Sequence, residues 1–239
     1  MKTILMKFAG PLQSWGTDSH FETRHTDYYP SKSAILGMLA AAMGISRSDD
    51  ESVRKLNQLD FAVRIDQQGN LLRDFHIAQK YKKDGSFERN YVTNRYYMED
   101  AVYVTAIAGP DDQMETIYSC LERPFFQLYM GRRALPVPYD YLIGIYDEEL
   151  IAALKSISWQ AASWYQRTFR SSREVNLDVY GDSRLLINGG QKHMRKDCVR
   201  SFSQKERVFS VRSETRCCVS VINPEYEAET EHDVFVYIG

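Results

Sequence analysis

Two serines flank a lysine at the start of a helical segment rich in small residues. In PSKSAILGMLAAAMGI, residues 30–45, Ser31 or Ser33 can cap a helix over residues 31–44, and Lys32 adds a positive charge. The unpaired N–H groups and the dipole of a helix start favour an anion, so this pattern predicts a phosphate contact. The alternative is that Ser31 only caps the helix and the alanines only pack on a sheet. The segment is not a P-loop, because the G-x-x-x-x-G-K spacing is absent.

A basic and aromatic stretch follows between Gln79 and Tyr97, with an Asp-Gly turn at its centre. Cations neutralise phosphates and aromatic faces stack on bases, which is the combination that single-stranded nucleic acid requires. A solvated hairpin with ordinary strand tyrosines would show the same composition. The stretch contains the cations Lys80, Lys82, Lys83, Arg89 and Arg95, and the aromatic residues Tyr81, Phe87, Tyr91, Tyr96 and Tyr97.

Further basic residues occur in GRRALP, residues 131–136. Arg132 and Arg133 can each bind phosphate oxygens or pair with a carboxylate inside the fold, and the sequence does not separate these two roles. A third concentration of Lys and Arg runs from residue 184 to residue 216. The last seventeen residues carry five acidic side chains and no Lys or Arg, which is typical of a solvated end, or of a segment that meets a basic partner.

Metal binding has weak support in the sequence. His20 and His25 lie near Asp18, Glu22 and Asp27, but this spacing matches no established pattern of metal ligands. We therefore predict neither a metal site nor a cofactor.

Catalysis also has weak support. Lys192-His193 could act as the base and phosphate clamp of a ribonuclease. Such a pair is more often surface charge in a loop, and the preceding Gly189-Gly190 favours that interpretation. No G-x-S-x-G or Cys/His signature is present, and no paired carboxylates stand out, so we predict no catalytic residues.

Composition narrows the class of protein. The 239 residues are 44% hydrophobic and 26% charged, which is enough apolar material for a substantial core, and the net charge of −2 means that any nucleic-acid binding must come from local patches. The N-terminal apolar run is interrupted by Lys7, and we expect neither a signal peptide nor a membrane span. Four cysteines without a C-x-x-C pair favour a reduced, cytoplasmic protein.

The hydrophobic pattern predicts an α+β protein in two parts, residues 1–145 and 146–239. In the first part we expect strands at 2–8, 60–66, 71–78 and 100–109, helices at 31–44, 49–59 and 111–122, and a further strand near Phe126. The QQGN turn predicts a hairpin between the strands at 60–66 and 71–78. The second part is predicted to be mostly β, with strands at 175–181, 183–188, 207–212, 216–222 and 233–238.

Five segments in this order and spacing carry a resemblance to a known family: FAGPLQSWG, PSKSAILGMLAAAMGI, LRDFHIA, NRYYMEDAVYVTAI and MGRRALP. They resemble the CasD family, the type I-E subunits of the CRISPR complex Cascade, which belong to the RAMP superfamily. The resemblance is specific over residues 1 to about 140. It implies a ferredoxin-like (RRM-type) N-terminal domain with a long β-hairpin thumb at about residues 77–97, followed by a smaller, mostly β C-terminal region.

The resemblance also implies a function. The protein is expected to cap the 5′ handle of the CRISPR RNA without cleaving it, and to contact the Cascade backbone subunit and the large subunit, with target DNA an indirect partner. A relative in type I-C systems cleaves precursor RNA with a tyrosine and a Lys-His pair, so a metal-independent endoribonuclease is the alternative. A purely structural adaptor is a second alternative.

We expect the RNA contacts to come from the helix start, the thumb, the GRRALP loop and the loop before the helix. Gln13 and Trp15 can hydrogen-bond or stack on an unpaired base. The full set of expected RNA-binding residues is Gln13, Trp15, Arg24, Ser31, Lys32, Ser33, Lys80, Lys82, Lys83, Arg95, Arg132 and Arg133.

Overall fold

The computed structural model describes residues 1–17, 22–186, 190–203 and 205–227. No helix in these ranges is long and apolar enough to cross a bilayer, and all four cysteines are free thiols. The strands are β1 (Lys2–Ala9), β2 (Leu12–Gln13), β3 (Thr23–Arg24), β4 (Asp60–Gln67), β5 (Asn70–Tyr81), β6 (Phe87–Glu99), β7 (Val102–Gly109), β8 (Leu142–Tyr146), β9 (Glu174–Asp182), β10 (Lys192–Ser201) and β11 (Val208–Ile222). The helices are α1 (Lys32–Ala42), α2 (Asp50–Asn57), α3 (Asp111–Glu122), α4 (Leu150–Ser156) and α5 (Ser163–Arg167).

A seven-stranded antiparallel sheet, in the order β10-β11-β9-β4-β7-β1-β8, is the centre of the fold. Successive residues of a strand point to opposite faces, so β1 supplies both sides of the sheet. Ile4 and Met6 pack with α1, α2 and α3, whereas Leu5 packs with α4. The fold is therefore a mixed α+β architecture, mostly of strands, with helices on both faces of the sheet.

The first three helices form at their predicted places because their ends carry clear signals. The Ser31 side chain caps α1 by accepting a hydrogen bond from Ala34 N at 3.3 Å. Asp49 caps α2 by accepting from Ser52 N at 3.1 Å. Asp111 and Asp112 lie in the first turn of α3, where negative charge suits the helix dipole.

The hairpin predicted between residues 60–66 and 71–78 is wrong. β4 pairs with β7 and β9 in the central sheet, whereas β5 pairs with β6 in a second sheet that also includes β2 and β3. The chain passes between the two sheets at Gly69, where a Cβ atom would lie 2.3 Å from the Glu99 carbonyl oxygen. The long hairpin is thus β5–β6, residues 70–99, which is longer than the predicted 77–97.

The central sheet continues across the predicted boundary at residue 145. β8 spans that boundary, and β9 pairs with β4 through Ala62 and Gly181. The strands predicted at 207–212 and 216–222 are one strand, β11, while β10, α4 and α5 were not predicted. Residues 183–185 form a turn instead of a strand, and the chain near Phe126 is not a strand. The predicted strand at 233–238 lies outside the described residues.

Candidate nucleic-acid interface

The start of α1 does bind an anion, but the anion belongs to the protein. The backbone N–H of Lys32 donates to Asp197 Oδ2 at 2.9 Å, and Lys32 Nζ donates to Asp182 Oδ2 at 3.0 Å. Lys32 is only 4% exposed, and Ser31 and Ser33 are buried beside it. The prediction that these three residues bind RNA phosphates is therefore corrected, because internal carboxylates occupy the place of the phosphate.

Lys32 belongs to a buried charge network, which we define as Lys32, Arg195, Arg212, Asp27, Asp182, Asp197 and Glu214. Arg212 is its centre, with its nitrogens 3.0 Å from Asp182, 2.8 Å from Asp197 and 2.7 Å from Glu214. Burial opposes the charged form of Arg212, but the three carboxylates outweigh it and raise its pKa above the usual value. The network joins α1 to β9, β10 and β11.

Gln13 and Trp15 are also buried, so neither can meet an unpaired base. Gln13 Nε2 donates to Ala101 O at 2.7 Å, and Gln13 Oε1 accepts from Trp15 Nε1 at 3.0 Å. The Trp15 ring packs edge-on against Phe8, with centroids 5.3 Å apart. The prediction that these two residues contact RNA is corrected, since both side chains hold the loop to the core.

One face of the β5–β6 hairpin carries a cluster of arginines, of which Arg24 and Arg89 are exposed and Arg95 and Arg132 are half-buried. The exposed Arg73 lies on the opposite face, where it donates to Asn94 Oδ1. β3 pairs in parallel with β6, which places Arg24 beside Arg95 on the same side of the second sheet. Alternation along β6 adds Tyr97, Tyr91 and Arg89 to that side. We call this surface the basic face and define it as Arg24, Arg89, Arg95, Arg132, Tyr91 and Tyr97.

Arg132 reaches the basic face because of Gly131. Gly131 has a φ of +85°, and a Cβ atom there would lie 1.6 Å from the Ser14 carbonyl oxygen, so only glycine allows this close packing. Arg132 Nη2 donates to Tyr96 O at 3.0 Å and to Arg24 O at 3.2 Å, and its guanidinium lies 4.1 Å from the Tyr97 ring centroid.

The arginines of this cluster form no ion pair in the described structure, although Asp74 lies opposite Arg95 in the register of β5 and β6. Within the described ranges, no carboxylate forms an ion pair with Arg24, Arg95 or Arg132. Burial, together with the neighbouring Arg95 and Arg24 charges, lowers the pKa of Arg132 against the opposing effect of Tyr97. Within the described residues, Arg95 Nε and Arg132 Nη1 are buried and have no hydrogen-bond partner. A bound anion would satisfy all three guanidiniums, so this is the strongest candidate site in the fold.

The remaining predicted cations lie along the hairpin and at its tip. β5 has twelve residues, so the hairpin extends roughly 40 Å at the usual rise per strand residue. Lys80 pairs with Glu88 at 2.8 Å, and Lys82 and Lys83 are exposed at the Asp-Gly turn. Arg133 is exposed beside Arg132. Contact between these residues and RNA stays a prediction.

The β5–β6 hairpin places some of its aromatic side chains on the side opposite the arginines, although the two kinds of residue are interleaved in the sequence. Tyr81 and Phe87 pair on the side opposite Arg89 and Arg95, with ring centroids 6.2 Å apart. We call this side the apolar face, defined as Leu71, Phe75, Ile77, Tyr81, Phe87 and Val92, all exposed. Nearer the base of the hairpin, the same side carries Tyr96, on which His25 stacks at 5.3 Å. Alternation separates the two faces along β5 and most of β6, and this could have been predicted once the strands were paired. The register shift between Lys80 and Tyr81 moves Phe87 to the apolar face, and the alternation does not predict it.

The structure does not assemble the proposed ribonuclease pair. Lys192 and His193 are neighbours on β10, an edge strand, so their side chains point to opposite faces. In the described part of the chain, no three His, Cys, Asp or Glu side chains could hold a metal ion. Asp18, His20 and His232 lie outside the described residues.

Comparison with known proteins identifies the family. The family model described as CRISPR-associated protein (Cas_Cas5) matches residues 3–213, most of the chain and all of the basic and apolar faces. The chain belongs to the Cas5 family. One Cas5 relative, the "CRISPR system Cascade subunit CasD" of Escherichia coli strain K12, is 30% identical over 156 residues, which cover 59% of this chain and 70% of the relative.

Solved structures agree with membership of the Cas5 family. A chain of a "CRISPR RNA-guided surveillance complex" superposes with a TM-score of 0.75 at 27% identity, covering 96% of this chain and 95% of that one. A "Crystal structure of Cas protein" superposes with a TM-score of 0.62 at 26% identity, covering 95% of this chain and 98% of that one. The similarity therefore includes the C-terminal strands, where the sequence resemblance was thin.

Proposed function

We propose that this Cas5-family protein is a non-catalytic subunit of a type I-E Cascade complex that binds and caps the 5′ handle of the CRISPR RNA. The observation that carries the proposal is the cluster of Arg24, Arg95 and Arg132 beside Tyr97, with no carboxylate paired to it in the described structure. Guanidiniums bind phosphates through paired N–H groups, and a tyrosine face can stack on a base.

The order of elements supports the ferredoxin-like description of the N-terminal part. The chain contains the order strand, helix, strand, strand, helix and strand, formed by β1, α1, β4, β7, α3 and β8. The four strands are adjacent in the central sheet in the order β8-β1-β7-β4. In this arrangement the hairpin is an insertion between the second and third strands. It places the basic face beside the sheet and leaves the rest of the hairpin free to reach a neighbour.

The apolar face supports contact with other Cascade subunits. Phe75 is 64% exposed, and the five other members are between 49% and 57% exposed. Arg73 and Gln79 lie between these residues on the same side of β5, and exposed apolar side chains bordered by polar ones are typical of a protein interaction site. We therefore propose that the hairpin packs its apolar face on the neighbouring backbone subunit, while the basic face holds the RNA.

The alternative functions receive less support. An endoribonuclease needs a base and a charge-stabilising group on the same side of the RNA, and β10 directs Lys192 and His193 apart. A purely structural adaptor would not need a cluster of arginines that forms no ion pair with a described carboxylate.

RNA binding tests the proposal directly. Fluorescence anisotropy with repeat-handle RNA over a range of salt concentrations gives the affinity and the salt slope, which changes by about 0.7 for each phosphate contact on a single strand. We expect Arg24→Gln and Arg95→Gln each to weaken binding and to reduce the slope by about that amount. Arg54→Gln, an exposed arginine on α2, is the matched control. Wild-type slopes in both variants, or no binding at low salt, would contradict the proposal.

Cleavage is tested separately. A single-turnover assay with repeat RNA is expected to leave the RNA intact, with and without Mg²⁺. Cleavage at one position that disappears in a Lys192→Ala, His193→Ala variant would favour the endoribonuclease instead.

A further inference from the structure

We propose that Arg195 is a positioning residue for the RNA site: through Asp27 and Tyr29 it holds residues 22–30 in place and so couples the basic face to the C-terminal strands. This inference rests on the proposed function, because it concerns the same site. It adds a residue on β10, far along the chain from the basic face, that is not expected to touch the RNA.

In the part of the chain that the structure describes, backbone pairing fixes the segment that carries Arg24 at its first end only. β3 pairs with β6, and Asn94 N donates to the Glu22 carbonyl oxygen at 2.9 Å. From residue 25 to residue 30 the described hydrogen bonds all involve side chains, including Trp15 N to Thr26 Oγ1 at 2.8 Å. Side chains from elsewhere must therefore set the path of this second half.

Arg195 makes the largest set of these contacts. Its Nη2 lies 2.8 Å from Asp27 Oδ2 and donates to Tyr29 O at 3.2 Å, and its guanidinium lies 4.4 Å from the Tyr29 ring centroid. Tyr29 is itself held, because its hydroxyl donates to Glu214 Oε2 at 2.8 Å and its ring stacks on Tyr180 at 4.3 Å. Residues of β9, β10 and β11 thus all contribute to the contacts that hold residues 22–30.

The environment of Arg195 separates it from the arginines that are free to bind phosphate. It is 12% exposed on its side chain, and the carboxylates of Asp27, Asp197 and Glu214 lie within 3.8 Å of it. These neighbours raise its pKa against the effect of burial, so its charge is already compensated inside the protein. Loss of Arg195 should therefore move Arg24 without removing a phosphate contact.

The experiment measures affinity and salt slope together. Repeat-handle RNA is titrated against the wild type, Arg195→Gln, Asp27→Asn and the double variant, with Lys196→Gln as the control on the exposed neighbour in β10. We expect each single variant to weaken binding at least fivefold at an unchanged salt slope, and the double variant to bind no worse than Arg195→Gln. We also expect hydrogen exchange of residues 22–30 to become faster in Arg195→Gln without RNA.

The outcomes separate this inference from the proposed function. Unchanged affinity in Arg195→Gln, or additive losses in the double variant, would overturn the positioning role. A slope reduced as much as in Arg24→Gln would also overturn it, because Arg195 would then bind phosphate directly. If Arg195→Gln does not fold, Asp27→Asn tests the same contact from the other side. Failure of the wild type to bind RNA would overturn the proposed function, and the positioning role with it.

Discussion

Replacing Lys32 with methionine tests whether the start of α1 serves the fold or the RNA. Methionine keeps most of the side-chain volume but removes the charge that lies 3.0 Å from Asp182. Both side chains of the pair are less than a tenth exposed. Removal of one partner leaves the other as a buried charge, which costs about 3–5 kcal/mol in comparable sites.

The surroundings of Asp182 place the expected cost at the lower end of that range. Arg212 Nη1 stays 3.0 Å from Asp182 Oδ1, and Phe61 N donates to Asp182 Oδ2 at 3.2 Å. The network then has four carboxylates against two cations instead of three. We expect Lys32→Met to lower the free energy of unfolding by about 3 kcal/mol, which corresponds to a Tm lower by about 6–12 °C for a chain of this size.

Thermal unfolding followed by circular dichroism provides the measurement, with the salt slope of RNA binding measured on the same preparation. Lys55→Met is the matched control, because its pair with Glu51 is exposed on α2 and should change stability by less than about 1 kcal/mol. The reasoning fails if Lys32→Met keeps its Tm within about 2 °C and loses salt slope instead. That result would mean that Lys32 leaves Asp182 to bind a phosphate.

Three further perturbations address other parts of the molecule. Arg133→Ala should weaken RNA binding at an unchanged Tm, whereas Arg132→Ala should lower both the affinity and the Tm. The reason is that, of the two, Arg132 alone is partly buried against Tyr97. Equal Tm values for the two variants would contradict this prediction. Phe75→Ser with Ile77→Ser should leave Tm and RNA affinity unchanged but reduce co-purification with the Cascade backbone subunit, and normal co-purification would exclude the apolar face as the contact. Burial raises the pKa of Tyr103 above its usual 10, so the unfolded state loses this proton first and the free energy of unfolding falls as pH rises above 10. In urea unfolding, Tyr103→Phe should make that fall shallower by up to about 1.4 kcal/mol per pH unit. An unchanged dependence on pH would refute the assignment to Tyr103.

The local signals of the N-terminal part were sufficient to place its helices. α3 begins and ends where the pattern of apolar residues, the preceding Pro110 and the acidic first turn predict. The pairing of the strands was harder to predict. Apolar and polar residues alternate in both β4 and β5, and the turn-like sequence QQGN joins the two strands. Whether two such strands form a hairpin depends on which strands they meet later in the chain. The partner of β4, β7, begins 35 residues after β4 ends, and the partner of β5, β6, begins 6 residues after β5 ends.

The C-terminal strands were difficult for a different reason. Arg212 and Glu214 interrupt the apolar pattern of β11 and predict a break between two strands. Both are buried, because Asp182 and Asp197 pair with Arg212. Glu214 pairs with Arg212 and Arg195. β10 was not predicted for the same reason, as its inward residues include Asp197. Hydrophobic periodicity finds strands that bury apolar side chains, and it misses strands that bury ion pairs.

The helix start of α1 shows why the RNA site could be predicted only in part. A serine cap, a lysine and unpaired N–H groups do predict an anion, and an anion is there. The sequence contains no local indication of whether that anion is a phosphate or the carboxylates of Asp182 and Asp197, because these lie 150 and 165 residues away. The basic face differs in that its arginines have no such partners in the described chain. The informative property of a cation is therefore whether the fold supplies it with a counter-charge, and that property is set by long-range pairing.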